Sequence, residues 1–130
     1  MGKLRCVCGH TIVDQTNNIS YKGYLIPDNQ IDRVYDNISS SVSELLDSKD
    51  SNERMEWIKK NFFVPPYPTD MKDFEMINDL ISKHTNEKTQ SMFECENCGR
   101  IAIEVGQTST FEFYKPENET VNQILDGNKK

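Results

Sequence analysis

The amino-acid sequence predicts an α+β fold, and three patterns along the chain support this. Apolar residues recur at intervals of three and four between about residues 28 and 86, which predicts helices there. On both sides of that region apolar and polar residues alternate, which predicts strands. Two pairs of cysteines lie in the two strand regions, with no cysteine between the pairs. We therefore expect an antiparallel sheet built from both ends of the chain, with about three helices inserted.

The N-terminal region predicts a hairpin and a further strand. Residues 4–6 and 11–14 would pair around a turn that carries the first two cysteines. Residues 20–26 form the next predicted strand, which Pro27 and Asp28 end.

The middle of the chain predicts three helices. Asp28 is the expected N-cap of the first helix. The second begins at Asp50 or Ser51, because Glu53 follows Asp50 by the three residues typical of a helix N-terminus. The proline-rich segment 64–68 separates it from the third helix. The apolar residues expected to face inward on the first helix are Ile31, Val34, Tyr35, Ile38, Val42, Leu45 and Leu46.

The third helix is expected to begin at Thr69 or Asp70, and strands follow it. Residues 92–94, 101–105 and 111–114 alternate, with a hairpin loop at 106–109 and at most a short helix at 119–125. We expect these strands and the N-terminal hairpin to form one sheet in a single domain, residues 1–130, with the helical insertion at about 28–86. The residues expected to face inward on the third helix are Phe74, Ile77, Leu80, Ile81 and His84.

The cysteines predict a metal site. Two tight turns that carry two thiolates each would supply the four soft ligands of a tetrahedral ion. A glycine follows each pair, where the turn favours positive φ. Zinc is the expected metal, and iron remains possible because the same ligands bind it. The predicted ligands are Cys6, Cys8, Cys95 and Cys98.

Each half of this site resembles the knuckle of a zinc ribbon or a rubredoxin-like site. The second half, Cys-x-x-Cys-Gly-Arg, has the usual spacing, whereas the first, Cys-x-Cys-Gly-His, is one residue shorter. The resemblance covers only these two turns and implies a metal that stabilises the fold. Disulfides, a redox dithiol and inert buried thiols are alternatives, and His10 is a further candidate ligand.

Few features of the sequence point to catalysis. Four thiolates leave no open coordination position, and there is no phosphate-binding glycine loop or His-Glu-x-x-His motif. His84 is expected to be a partly buried helix residue, and the pair Glu94 and Glu96 a surface pair. We therefore expect no enzymatic activity. A small enzyme or an iron redox protein is the alternative, which visible absorbance or an open metal position would reveal.

Charge narrows the class of partner. The formal net charge is −6, with no basic cluster of the kind that binds phosphates, so nucleic acid is a disfavoured partner. An acidic surface instead favours a basic protein, or only solubility. We expect a cytoplasmic protein without a membrane segment, because no apolar signal or spanning run is present.

Aromatic and acidic residues suggest where such a partner would bind. Aromatic residues rimmed by acids are typical of protein-binding hot spots, and they concentrate around residues 57–68. The alternative is that Trp57 and Phe62 fill the core, and the proline-rich segment is either a connector or a ligand itself. The predicted contact residues are Trp57, Tyr67, Asp70 and Asp73.

These features indicate a non-catalytic protein-binding module with a structural zinc. In being small, acidic and short of catalytic groups, the chain is similar to the immunity proteins of bacterial toxin systems, which implies a basic nuclease toxin as partner. The alternative is a regulatory or phage-type zinc ribbon that contacts nucleic acid or the transcription machinery.

Overall fold

The computed structural model has an α+β fold, as the sequence predicts, and it describes residues 2–15, 17–62 and 71–128. The chain divides into two compact units. Residues 1–26 and 89–130 form the first, here called the β unit, and residues 27–88 form the second, the helical unit. The helical unit corresponds closely to the predicted insertion. No helix in the described part of the chain is long and apolar enough to span a membrane.

The described residues of the β unit form six antiparallel strands in two sheets. β1 and β2 form a hairpin, and the other four pair in the order β3-β4-β5-β6. The loop at 106–109 joins β5 to β6, as predicted, with Gly106 and Ser109 at positive φ. The strands are β1 (Gly2–Arg5), β2 (Thr11–Asp14), β3 (Lys22–Leu25), β4 (Gln90–Glu94), β5 (Ile101–Glu104) and β6 (Phe111–Tyr114).

The prediction of one continuous sheet is wrong. The outer edge of β2 is met by a side chain instead of a neighbouring strand, because the Tyr21 hydroxyl donates a hydrogen bond to the Val13 carbonyl. β3 pairs with β4 instead, with Tyr24 opposite Ser91. A tyrosine hydroxyl therefore satisfies an acceptor that a continuous sheet would pair with a backbone N–H.

The two sheets of the β unit share one apolar core. Leu4 and Ile12 alternate with outward-facing residues on the hairpin, and Phe93 and Ala102 face them from β4 and β5. The Phe93 and Phe111 rings meet edge to face at 5.8 Å, a favourable aromatic geometry. Two of the four cysteines belong to this core, which consists of Cys6, Ile12, Phe93, Cys95 and Ala102.

Where the structure describes the helical unit, it contains the three predicted helices, α1 (Asp28–Asp47), α2 (Ser51–Asn61) and α3 (Asp73–Asn86). Asp50 caps α2 as predicted, because its side chain accepts a hydrogen bond from the Glu53 N–H at 2.9 Å. The cap predicted for α1 is wrong, since Pro27 takes that position and Asp28 is the first helical residue. Lys72 precedes α3, and the predicted caps Thr69 and Asp70 lie outside the described residues.

A second apolar core fills the helical unit, and two predicted inward faces need correction. The core consists of Leu45, Trp57, Ile58, Met76 and Leu80. Tyr35 and Leu46 on α1 are exposed, as are Phe74 and Ile81 on α3, although all four were expected to face inward. A spacing of three or four places residues on one broad helix face, and here only the centre of that face meets another helix.

The last part of the described chain is irregular, and the short helix predicted at 119–125 is absent there. Residues 115–128, here called the C-terminal strap, follow β6 without forming another strand. Glu119 and Gln123 have positive φ (55° and 53°), which a right-handed helix does not allow. Leu125 of the strap packs on Gly23 of β3, where an added Cβ would lie 3.2 Å from it.

Candidate metal centre

The first cysteine pair lies in the turn between β1 and β2. The Cys6 N–H donates to the His10 carbonyl at 2.9 Å, and the Gly9 N–H donates to the Cys6 carbonyl at 2.9 Å. Gly9 has φ of 96°, a conformation that residues with a Cβ rarely adopt. The hairpin thereby turns within three residues and places both thiols on the same side.

The second pair repeats this arrangement between β4 and β5 with one more residue. The Cys95 N–H donates to the Arg100 carbonyl at 2.8 Å, and the Gly99 N–H donates to the Cys95 carbonyl at 2.9 Å. Gly99 has φ of 81°. The shorter spacing of the first pair is therefore accommodated by a tighter turn with the same two hydrogen bonds.

The two turns bring the four thiols together. The Sγ atoms of Cys6 and Cys98 are 3.6 Å apart, as are those of Cys8 and Cys95, and all four lie within 4.8 Å of one another. A disulfide would require about 2.05 Å. Sulfurs at about 2.3 Å from a tetrahedral zinc ion lie about 3.8 Å from one another, a value that these separations bracket. The four cysteines are thus positioned to hold a metal ion, and His10 lies outside the cluster.

Side chains and backbone groups around the sulfurs also suit thiolates. The Arg100 guanidinium lies 3.3 Å from the Cys98 sulfur, and the Asn97 amide lies 3.5 Å from the Cys8 sulfur. A backbone N–H group two residues further along faces each of the four sulfurs. Such donors orient the ligands of a metal site and spread their negative charge.

The four thiols differ in acidity because they differ in burial and in hydrogen bonding. Burial raises the pKa of Cys6 to about 12 and also raises the pKa of Cys95. The Asn97 amide, followed by the His10 backbone N–H, lowers the pKa of Cys8 to about 6. Burial opposes ionisation of Cys98, but its backbone and side-chain hydrogen bonds with Arg100 lower the pKa overall.

The C-terminal strap contacts the second knuckle through two residues whose roles the sequence did not reveal. A Cβ on Gly99 would lie 2.3 Å from the Thr120 carbonyl oxygen, so only glycine fits beneath the strap. Glu94, expected on the surface, is 2 % exposed, and its carboxylate accepts hydrogen bonds from the backbone N–H groups of Asn122 and Ile124 at 3.1 and 3.2 Å. The glycine after each cysteine pair could be recognised in the sequence as a position with a special role. Nothing in the sequence indicated that the carboxylate of Glu94 would be buried.

The predicted partner-binding residues do not form one exposed patch among the described residues. Trp57 is 4 % exposed, its ring meets Phe62 edge to face at 6.0 Å, and its Nε1–H donates to the Ser41 carbonyl at 2.8 Å. Asp73 is exposed and pairs with Arg54 at 2.6 Å. Tyr67 and Asp70 lie outside the described residues. The position of Trp57 matches the core alternative.

Comparison with known proteins identifies a family without an assigned activity. The chain belongs to the family described as "Domain of unknown function (DUF8617)", whose model matches residues 2–118. The matched region includes both cysteine pairs and all nine helices and strands given above. No curated protein and no solved structure matches the chain at a significant level.

Proposed function

We propose that this protein is a non-catalytic protein-binding module whose four cysteines hold one structural zinc ion. The proximity of the four sulfurs, all within 4.8 Å, is the observation that carries the proposal. Four thiolates complete a tetrahedral shell, and sites of that kind stabilise folds because they leave no position for substrate. Iron would fit the same ligands, and zinc is favoured because nothing in the sequence suggests a redox partner.

The helical unit is the proposed partner-binding part of the molecule. It contains thirteen aspartates and glutamates and eight lysines and arginines, which gives it a net charge of −5. The whole chain has a net charge of −6, so most of the excess negative charge lies in this unit. A surface of one sign speeds association with a partner of the opposite sign. The partner that this charge fits is a basic protein.

An exposed apolar stripe on α3 is the proposed contact surface. Phe74 is 68 % exposed, and Ile81 lies seven residues further along the same helix face. Asp73 is exposed and lies next to Phe74 at the start of the helix. Apolar anchors with acidic neighbours are the combination expected from the sequence, here centred on Phe74 because Trp57 is buried. Tyr67 and Asp70 remain part of the predicted contact.

In the helical unit a histidine side chain contacts a serine on one side and a glutamate on the other, an arrangement that resembles a catalytic triad. The surroundings of these residues favour a structural role. The Ser41 hydroxyl is 3.3 Å from His84 Nε2, and His84 Nδ1 is 3.6 Å from a Glu87 carboxylate oxygen. Ser41 lies well inside α1, where backbone N–H groups are bonded along the helix and are not available to stabilise an oxyanion. The proposal is therefore of a binding protein.

The most specific form of this proposal is that the partner is a basic nuclease toxin. The protein would then be an immunity protein, which neutralises that toxin. Acidic groups and an aromatic anchor on one helix are what neutralising such a toxin would require. The alternative, contact with nucleic acid, would need a basic face in a chain whose net charge is −6.

Binding assays with matched variants test the proposal. Candidate basic proteins, including nucleases, and a 20-base-pair DNA duplex should be titrated against the wild type and the variants Phe74→Ser and Leu46→Ser. Both substitutions remove an exposed apolar side chain, but only Phe74 lies in the stripe. We expect salt-sensitive binding to a basic protein that Phe74→Ser weakens at least tenfold and Leu46→Ser leaves unchanged. Tight, salt-sensitive binding to DNA would instead favour the nucleic-acid alternative.

A further inference from the structure

The outer edge of β1 carries backbone groups that the hairpin does not use. The Cys6 N–H donates to the His10 carbonyl, so these residues form a hydrogen-bonded pair of the antiparallel ladder. Because such pairs alternate, Leu4 and Ile12 form the next one. Lys3 and Arg5 lie between the hydrogen-bonded pairs and direct their N–H and C=O groups away from β2.

The opposite edge of the hairpin confirms this alternation. Val13 pairs with Lys3 in the register, so its backbone groups also point outward from the hairpin. The Tyr21 hydroxyl bonds the Val13 carbonyl there. One edge of the hairpin is therefore covered by a side chain, while within the described residues no hydrogen bond meets the outward-facing backbone groups of Lys3 or Arg5.

An apolar cleft of about 320 Å³ lies beside this edge, within the β unit. Three consecutive residues of β1 line the cleft, whereas β2 contributes alternate ones, so the backbone of β1 borders it. The volume is at the lower end of the range for ligand pockets. Its apolar lining consists of Leu4, Ile12, Phe93 and Phe111.

The charges around the cleft favour an acidic occupant. Asp14 is paired with Lys22 at 2.8 Å, and the Glu104 carboxylate accepts hydrogen bonds from two backbone N–H groups at 3.0 and 3.1 Å. Lys3 and Arg5 are exposed, and no ion pair joins them to another residue in the described part of the chain. The uncompensated charge at this edge is thus positive.

We propose that the β1 edge binds an extended acidic peptide, which adds as a further strand and places one apolar side chain in the cleft. Residues opposite Lys3 and Arg5 would share their solvent-facing side, where carboxylates are favoured. The residue between them would lie opposite Leu4 and face the cleft. The geometry therefore specifies an acidic–apolar–acidic sequence in the partner, bound as in other cases of strand addition.

A second copy of this chain is a poorer occupant. Pairing β1 with β1 of another molecule would set Lys3 and Arg5 against the same two residues, and like charges on facing positions are unfavourable. Charged edge strands are a known protection against such self-association. This surface lies in the β unit and is independent of the proposed contact on α3.

Amide exchange with a defined peptide tests the proposal directly. The probe is Thr-Thr-Glu-Leu-Glu-Thr-Thr with blocked termini, since threonine favours strands. We expect the Lys3 and Arg5 amides to exchange quickly in the free protein and slowly with peptide, while the Leu4 amide is protected in both. Slow exchange of the Lys3 and Arg5 amides in the free protein would mean that the edge is already covered and would overturn the proposal, as would an absence of binding.

Protein variants separate the charge of the edge from its hydrogen bonds. The double variant Lys3→Glu, Arg5→Glu should weaken binding of the probe about tenfold or more, whereas Lys49→Glu, an exposed site in the helical unit, should not. Lys3→Pro removes the outward N–H and should weaken binding more than Lys3→Ala. Metal content and circular dichroism monitor folding. Equal binding by all these variants, or concentration-dependent dimerisation through β1, would contradict the proposal.

Discussion

Gly9 and Gly99 have similar backbone conformations in the two knuckles, but only Gly99 lies against another segment. At Gly9 an added Cβ would meet nothing within 4 Å, whereas at Gly99 it would lie 2.3 Å from the Thr120 carbonyl oxygen. The two positions therefore separate backbone strain from a steric clash.

We predict that Gly99→Ala destabilises the protein more than Gly9→Ala does. Gly9→Ala should cost about 1–2 kcal/mol, the strain of a left-handed alanine. Gly99→Ala carries the same strain and must also displace the strap. Urea denaturation of both variants measures the difference. Equal losses of stability would mean that the strap does not pack on Gly99.

The unequal acidity of the thiols predicts the number of protons that metal binding releases. In the metal-free protein at pH 7.5, Cys6 and Cys95 keep their protons because burial raises their pKa, whereas Cys8, with a pKa of about 6, is ionised. Hydrogen bonding favours the thiolate of Cys98 as well. Metal binding ionises all four thiols, so affinity should rise with pH as long as two of them remain protonated.

Calorimetry in buffers of different ionisation enthalpy measures this release. We expect about two to three protons per zinc ion at pH 7.5, one from each buried cysteine and the remainder from the part of Cys98 that is still protonated. A release near four would show that Cys8 and Cys98 are not ionised beforehand. A release near zero would show that burial does not keep Cys6 and Cys95 protonated.

At the scale of elements, Trp57 and Phe74 distinguish core packing from a surface contact. We predict that Trp57→Ala costs about 3–5 kcal/mol, because it empties a core site and removes the hydrogen bond to the Ser41 carbonyl. Phe74→Ala should change stability by less than about 0.5 kcal/mol, since that ring is exposed. Thermal unfolding of both variants tests this. A stable Trp57→Ala variant would restore Trp57 as a contact candidate.

Elements whose signals are local in sequence were predictable. The cap at Asp50, the hairpin around the first cysteine pair and the loop after β5 each depend on a few neighbouring residues. The break between the two sheets was not predictable, because it depends on Tyr21 meeting Val13. The exposure of Phe74 was also missed, since periodicity marks a helix face without showing how much of it is covered.

The candidate metal site also has parts that the sequence predicts and parts that it does not. The four cysteines, each pair followed by a glycine, identify the candidate ligands from sequence alone, and the structure brings their sulfurs together. The burial of Glu94 could not be foreseen, because its partners Asn122 and Ile124 lie 28 and 30 residues away in a segment without periodicity. Irregular chain leaves no pattern from which such a contact can be read.

At the scale of the whole molecule, the two units should respond differently to loss of metal. The sulfurs of Cys6 and Cys95 belong to the core of the β unit, whereas the helical unit has a separate core of Leu45, Trp57, Ile58, Met76 and Leu80. The site also joins segments 86 residues apart between Cys8 and Cys95. Removing a metal bound at this site would release that constraint on the β unit.

We predict that chelation, or the substitution Cys98→Ala, exposes the β unit to amide exchange first. The amides of Ile12 and Ala102 should lose protection. Ile12 lies in the N-terminal hairpin, to which Cys98 does not belong, so the effect should extend beyond the knuckle that carries Cys98. The amides of Leu45 and Leu80 should remain protected. Hydrogen exchange followed by NMR distinguishes the two units. Parallel loss of protection in both would mean that they unfold as one.

The four cysteines should jointly bind one metal ion. Protein purified without added metal should be analysed for metal content and by X-ray absorption at the metal edge. We expect about one zinc ion per chain with four sulfur neighbours at about 2.3 Å. A shell that contains nitrogen or oxygen in place of any sulfur, or protein that is folded and free of metal, would contradict it.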